Sequence, residues 1–230
     1  MKAFAQPESY SDMLQRVFYF TVASGFVCTV LLALGSPQLK AFLDSLDVEA
    51  SIGPIGGLKA LYVVVPLAVG LVSRMLKIHD MLSSLFRIRF RFDTLRFLVP
   101  LATGAGINVT PEIKRRVRSN RAAAMYKVFY PYASFKDPKI DAQLVRTAAD
   151  YWGWFWVLLE SSLLFSITSC VLGALAQSLL CIVSAAVVLG ELLLLLFMWT
   201  GCKRTAARQV NAILAQPGWK QEIFDYFSTL

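Results

Sequence analysis

Residues 152–200, WGWFWVLLESSLLFSITSCVLGALAQSLLCIVSAAVVLGELLLLLFMWT, form the most apolar stretch of the chain. Only two of its side chains are charged, those of Glu160 and Glu191. A helix rises about 1.5 Å per residue and the hydrocarbon core of a bilayer is about 30 Å thick, so about 20 apolar residues span it. The stretch is long enough for two spans with a polar break at 176–178. It therefore predicts a transmembrane hairpin.

Two further apolar runs precede this hairpin. Residues 17–35 form an uninterrupted run, and residues 58–76 form a weaker one containing Pro66, which a membrane helix tolerates. Small residues recur at helical spacing along the first run, as expected where another helix packs closely; they are Thr21, Gly25, Cys28 and Gly35. We predict an all-α membrane protein with four transmembrane helices and a helical cytoplasmic insertion between spans 2 and 3.

The insertion is strongly basic. Residues 74–151 carry 15 Lys and Arg residues against six acids. Cytoplasmic loops of membrane proteins are rich in Lys and Arg, so we expect this insertion and both termini to be cytoplasmic. Glu8 and Asp12, which precede the first run, argue against a cleaved signal peptide. The predicted order is a two-span part at 1–76, the basic segment at 77–151, the hairpin at 152–200 and an amphipathic cytoplasmic tail at 201–230.

Residues 86–93, FRIRFRFD, alternate apolar and charged side chains without a break. A period of two is typical of a strand, but a lone strand has no obvious partner here. An interfacial helix whose arginines reach the headgroups explains the same pattern, and we favour it. Downstream, Thr110-Pro111-Glu112 predicts a helix that runs to about Tyr130. Another helix is expected from about residue 139 to residue 175.

The two glutamates of the hairpin are the first candidates for a functional site. Glu160 lies about 24 Å from the hairpin turn and Glu191 about 20 Å, so both lie at nearly the same depth. Carboxylates are costly in lipid and commonly mark an ion path, so they could line or gate a cation or proton path in an oligomer. Alternatively, they are interhelical hydrogen-bond partners, or they meet Lys59 or Arg74.

Small residues of the third span share one helix face, because they recur at spacings of three and four. They are Ser162, Ser166, Ser169 and Gly173. Glu160 lies nearly opposite this face, so one side of the helix can pack tightly while the other presents a carboxylate. A single hairpin does not use both sides, and we therefore predict self-association. The first two spans could instead fill the second side within one chain.

The basic segment is the second candidate site. Its candidate residues for binding an anionic partner are Arg87, Arg89, Arg91, Lys114, Arg115, Arg116, Arg118 and Arg121. Topology and anionic lipid headgroups explain much of this charge, and a cytoplasmic regulatory protein or nucleoprotein complex could also bind it. For the helix that carries residues 114–121, direct binding of nucleic acid is less favoured, because the aromatic residues near it, at 126–132, cluster apart from its arginines.

The sequence gives little support to an enzyme. The only histidine, His79, stands next to Asp80, and we interpret these two as a juxtamembrane hydrogen-bonding pair. No phosphate loop, HExxH motif or serine elbow occurs. The four cysteines lack CxxC spacing and are expected to be packed or lipid-facing thiols. We therefore expect no catalytic residue, no metal site and no cofactor.

Part of the chain, roughly residues 75–160, resembles the small four-helix membrane effectors of bacterial anti-phage defence systems, including those paired with retrons. Four stretches carry the resemblance: KIHDMLSSLFRIRFRFD at 77–93, FLVPLA at 97–102, MYKVFYPYAS at 125–134 and DYWGWFWVLLE at 150–160. The resemblance implies a latent toxin of the bacterial inner membrane. A partner complex would hold it silent until phage infection triggers membrane damage and growth arrest.

The expected function is thus that of an abortive-infection effector that oligomerises and permeabilises or depolarises the inner membrane. Glu160 and Glu191 would line or gate its pore, and the basic segment would receive the cytoplasmic trigger. The alternative is a non-permeating membrane anchor that recruits a protein or nucleoprotein partner through the basic segment. A third, weaker hypothesis is a subunit of a small transporter or channel complex.

Overall fold

The computed structural model describes residues 4–45, 49–52 and 55–229. Eleven α-helices lie in this part of the chain: α1 Tyr10–Gly35, α2 Pro37–Asp44, α3 Leu61–Leu76, α4 Ile78–Leu85, α5 Ile88–Phe92, α6 Val99–Ala105, α7 Pro111–Ser119, α8 Arg121–Val128, α9 Ala142–Ala174, α10 Ser178–Leu214 and α11 Pro217–Ser228. A π-helical turn, Asp93–Leu98, joins α5 to α6. The predicted helical character is confirmed.

One element was not expected. Strands β1 (Glu49–Ile52) and β2 (Ile55–Lys59) form a short antiparallel hairpin in which Glu49 pairs with Lys59. The predicted second span, 58–76, is wrong at its start, because residues 58 and 59 belong to β2 and the helix begins only at Leu61.

Three helices of the described chain, α1, α9 and α10, are each long and apolar enough to cross a membrane. The 16-residue α3 is short for a span by itself. It continues into α4 across Lys77, whose φ of +50° is left-handed, and the two helices bend by 55°. The prediction of helices that could span a membrane is confirmed for these three, while a count of four spans requires this bent pair to act as one broken span.

The helical hairpin has its turn where the sequence predicts it. Helix α9 ends at Ala174 and α10 begins at Ser178. Between them Ala176 adopts a left-handed φ of +56°, and its amide donates to the carbonyl of Gly173. This conformation satisfies carbonyls at the end of α9, as in other left-handed helix ends.

The other helix boundaries differ modestly from prediction. The side chain of Thr110 caps α7 by accepting from the Ile113 amide, as expected, but Asn120 separates α7 from α8. Helix α9 begins three residues later than predicted, because Asp141 accepts from the Gln143 amide at its start. The alternating residues after Phe86 form α5, so the helical interpretation is confirmed. Helix α10 runs through the predicted boundary at 201, so the first part of the tail is not a separate element.

The chain divides into two compact units. Unit 1 contains Met1–Phe4, Leu14–His79 and Gly153–Phe197; unit 2 contains Ala5–Met13, Asp80–Trp152 and Met198–Leu230. Helices α1, α4, α9 and α10 contribute residues to both units.

Close helix contacts organise unit 1. A Cβ at Gly25 of α1 would lie 3.6 Å from Pro66 of α3, and a Cβ at Gly70 would overlap the side chain of Val22. These small residues let the two helices approach, which confirms the packing role predicted for the first run. Along α10, by contrast, large apolar side chains are exposed, as expected for a lipid-facing helix. They include Leu179, Ile182, Leu193 and Phe197.

Unit 2 has an aromatic and aliphatic core. The ring of Phe92 packs edge-on against Trp152 at 4.7 Å and against Trp199 at 5.1 Å between ring centroids. Helix α11 joins this unit through Tyr132, whose hydroxyl donates to Glu222 at 2.6 Å and whose ring contacts Trp219. Because Phe92 contacts both Trp152 and Trp199, the two ends of the hairpin lie side by side.

Candidate functional site

Glu160 of α9 lies at the centre of a polar cluster inside unit 1. Glu160 is only 3% exposed. One carboxylate oxygen, Oε2, accepts hydrogen bonds from Thr21 Oγ1 of α1 and from Ser73 Oγ of α3, each at 2.8 Å. Thr21 can approach Glu160 because the small residues of α1 lie on the side that packs against neighbouring helices. The carboxylate therefore links three apolar helices.

The second oxygen, Oε1, is buried and accepts no hydrogen bond from the described residues. The closest ionisable group is His79 in the first turn of α4, whose Nδ1 lies 3.6 Å away. The His79 ring is itself buried and lies beside Trp156 of α9. Four helices thus converge on one carboxylate.

Glu191 of α10 forms a second, adjacent polar contact. Its carboxylate accepts from Ser161 Oγ and, at 3.1 Å, from Ser162 Oγ, both on α9. Ser161 Oγ also lies 2.7 Å from Ser24 Oγ of α1. Because Ser161 directly follows Glu160, the two carboxylates lie on neighbouring parts of the same hydrogen-bonded region. We call this region the carboxylate cluster: Thr21, Ser24, Ser73, His79, Glu160, Ser161, Ser162 and Glu191.

The predicted small-residue face of α9 packs on α10 within the hairpin. Ser169 Oγ donates to the Cys181 carbonyl at 3.2 Å, and a Cβ at Gly173 would lie 3.5 Å from Cys181 Sγ. Ser162 meets Glu191 as described above. Ser166 differs, because its hydroxyl donates to the Ser162 carbonyl of its own helix. Three of the four predicted residues, Ser162, Ser169 and Gly173, thus contact α10 in the structure.

Both sides of α9 are used within one chain, because the face opposite the serines brings Glu160 to α1, α3 and α4. The structure thus follows the alternative in which the first spans meet this side within one chain, and self-association stays a prediction. The glutamates also match the alternative interpretation, in which they are interhelical hydrogen-bond partners. The ionisable neighbour of Glu160 is His79 rather than Arg74, whose guanidinium lies 5.8 Å from the Phe18 ring.

Sequence reasoning missed several members of the carboxylate cluster. His79 was grouped with Asp80, and Thr21 was assigned only to packing. A buried arginine was also missed: Arg16 of α1 is 2% exposed and lies 4.9 Å from the Trp154 ring. No periodic pattern relates these residues to Glu160, since Thr21 lies 139 residues away along the chain.

The predicted basic residues divide into paired and exposed groups. In unit 2, Arg121 forms an ion pair with the buried Asp93, and Arg89 lies 4.0 Å from the same carboxylate. Burial raises the pKa of Asp93, although the neighbouring guanidiniums of Arg121 and Arg89 oppose this shift. Arg116 pairs with Glu112 at 3.0 Å. The remaining exposed arginines of the predicted set are Arg87, Arg91, Arg115 and Arg118; Lys114 is half-buried.

Comparison with known proteins gives one match. The model of the YmfE protein family matches residues 9–228, which is nearly the whole chain. No curated protein and no solved structure shows significant similarity to it. The match includes the helices that build the carboxylate cluster and those of the basic segment. On this match, the chain belongs to the YmfE protein family.

Proposed function

We propose that the protein is a membrane effector that permeabilises or depolarises the bacterial inner membrane when a cytoplasmic partner triggers it. The proposed topology has four spans, the second formed by α3 and the first turn of α4, and places both termini and the basic segment in the cytoplasm. The abundance of Lys and Arg in residues 74–151 supports this orientation.

The observation that carries the proposal is the carboxylate cluster. Ionisable groups are rare and costly among membrane-spanning helices, and they commonly mark ion or proton paths. Here two carboxylates, an imidazole and several hydroxyls lie among α1, α3, α9 and α10, the helices proposed to span the membrane, and the first turn of α4. The cluster would gate the membrane part. In the closed state its hydroxyls donate to the two carboxylates, and separation of the helices would expose a polar surface suited to cations or protons.

Two further features of the proposal come from the sequence. Self-association in the open state would supply enough helices to surround a path, and the exposed lipid-facing side of α10 offers a surface for it. The defence role follows from the resemblance of residues 75–160 to anti-phage membrane effectors. The partner is proposed to be a protein or nucleoprotein complex that binds the basic segment.

Membrane-potential dye fluorescence tests this function in bacteria that express the chain, both alone and during phage infection. We expect wild type to depolarise the cells in at least one condition. The double variant Glu160→Gln with Glu191→Gln should not, because the amides keep hydrogen bonding but remove the charges. Ser166→Ala is the matched control, since its hydroxyl contacts only its own helix. An unchanged potential in both conditions, at equal membrane levels, would reject permeation.

A non-permeating anchor is the second candidate. It is favoured by the exposed Arg115 and Arg118 on α7, outside the carboxylate cluster. If the protein is an anchor, charge reversal at these two positions would abolish recruitment of the partner without any effect on membrane potential. Pull-down of the full-length protein from membranes, combined with the dye assay, separates the two functions.

A further inference from the structure

Residues 80–98 of unit 2 expose an unusual number of large apolar side chains. This segment contains most of α4, all of α5 and the π-helical turn. Its most exposed apolar residues are Met81 at 52%, Leu85 at 71%, Phe86 at 57% and Leu95 at 43%. The opposite side of the segment is buried in the core of unit 2 through Leu82, Phe92 and Leu98. Both sides of the segment therefore carry apolar side chains: one side packs in the core of unit 2 and the other is exposed.

Arginines lie among these exposed apolar residues. Arg87, Arg91 and Arg96 are all exposed. The Arg91 amide donates to the Arg87 carbonyl at 2.9 Å, so these two residues lie one helical turn apart. The acids of the segment do not offset them at the surface, because Asp93 is 5% exposed and paired with Arg121, and Asp80 is half-buried. The outer side thus combines apolar groups with positive charge.

The backbone keeps this arrangement in place. Arg87 has a left-handed φ of +52° and separates α4 from α5. Side chains other than glycine rarely adopt this conformation. This break between α4 and α5 leaves the adjacent side chains of Phe86 and Arg87 both exposed.

We propose that this outer side lies in the headgroup layer of the membrane and binds anionic phospholipids. The guanidiniums of Arg87, Arg91 and Arg96 would contact lipid phosphates, which they can bind with paired hydrogen bonds. Leu85 and Phe86 would enter the acyl-chain boundary, as apolar residues of interfacial helices do. This inference concerns unit 2 and does not depend on the permeation function.

Two observations select lipid over another anionic partner, and the charge of the surface is compatible with it. The exposed apolar residues include the aliphatic Met81, Leu85 and Leu95, which do not stack on nucleic-acid bases as aromatic rings do. The charge of the exposed residues is positive, which complements an anionic leaflet. The segment also follows a membrane helix at once, since α4 begins two residues after the end of α3.

Native mass spectrometry of the full-length protein in detergent tests the proposal by titration with phosphatidylglycerol and phosphatidylcholine. We expect wild type to prefer phosphatidylglycerol. The variant Arg87→Gly, Arg91→Gln and Arg96→Gln should bind it at least tenfold more weakly, since each cation near a membrane surface contributes about fivefold. Glycine suits the φ of residue 87 and so removes the charge without backbone strain.

The matched control is Lys114→Gln, Arg115→Gln and Arg118→Gln, which removes three charges from α7. Its binding of phosphatidylglycerol should stay within about twofold of wild type. An equal loss in both variants would assign the preference to net charge and overturn the proposal, as would a wild type without preference. Tighter binding of an oligonucleotide than of lipid, lost only in the 87/91/96 variant, would assign the surface to nucleic acid instead.

A second measurement locates the segment in bilayers of the same two lipids. A nitroxide at Phe86→Cys, with the accessible Cys170 and Cys181 replaced by serine, should collide readily with oxygen and poorly with a water-soluble nickel complex. A nitroxide at Ser119→Cys, an exposed position on α7, should show the opposite behaviour. Greater accessibility of the Phe86 label to nickel would overturn the proposal.

Discussion

Replacement of Glu160 by alanine should lower the free energy of unfolding by about 2–3 kcal/mol, whereas Glu160→Gln should cost less than about 1 kcal/mol. Alanine removes the acceptor of Ser73 Oγ, leaves Thr21 Oγ1 with only the Val17 carbonyl and removes the carboxylate beside His79. Glutamine keeps an oxygen for both hydroxyls, and its amide nitrogen takes the place of Oε1 beside His79. The difference between the two variants therefore measures hydrogen bonding rather than charge.

Reversible unfolding in lipid–detergent micelles, followed by circular dichroism, measures these changes. Ser166→Ala serves again as the control within α9, because its hydroxyl bonds only to its own helix. Equal losses for alanine and glutamine would show that the charge of Glu160, paired with His79, supplies the stability. The glutamine variant would then not be a clean probe of permeation, and the result bears directly on the dye experiment.

The second large effect is expected in unit 2, where Arg121→Met should cost about 3 kcal/mol at pH 8. Methionine fills the space but leaves the buried Asp93 with only Arg89, at 4.0 Å, to oppose the cost of its charge. Burial already raises the pKa of Asp93, and loss of Arg121 removes the largest opposing influence. The pKa of Asp93 should therefore rise further in the folded variant.

The sign of the pH dependence follows from this shift. A carboxyl whose folded pKa lies above its unfolded value is relatively stable when protonated, and that stability is lost as the pH rises through the folded pKa. The loss caused by Arg121→Met should therefore shrink between pH 8 and pH 5. Thermal unfolding at the two pH values checks this, and Arg121→Met with Asp93→Asn should recover much of the loss at pH 8. A loss independent of pH would point to packing against Phe90, which lies 6.0 Å from the Arg121 guanidinium.

The hairpin at 152–200 and the first span could be predicted because hydropathy is a local property. An apolar run of sufficient length has one stable state in lipid, a helix with all its backbone groups paired. The break at 176–178 and the cap at Thr110 are also local, since both depend on a few neighbouring residues. The hairpin β1–β2 and the late start of α3 were not predicted, because residues 36–57 carry no strong periodic signal.

The packing of α9 shows what the local sequence pattern does not determine, namely which neighbour covers each face of the helix. Helical spacing grouped its serines on one face, and Ser162 and Ser169 of that face contact α10. The opposite face presented a carboxylate, and the sequence left open whether a second copy or the first two spans would meet it. Only the arrangement of α1, α3 and α4 decided that the chain itself does so.

By itself, the sequence determined that this protein is helical, with apolar helices that could span a membrane and a basic segment. It also identified Glu160 and Glu191 as the side chains whose charge is most costly to place in lipid. Hydropathy, charge and helical spacing act over one or two turns, so they can be read along the chain. The tertiary structure alone decided which groups satisfy those carboxylates. Thr21 and Ser73 lie 139 and 87 residues from Glu160, and contacts across such distances depend on how whole helices pack.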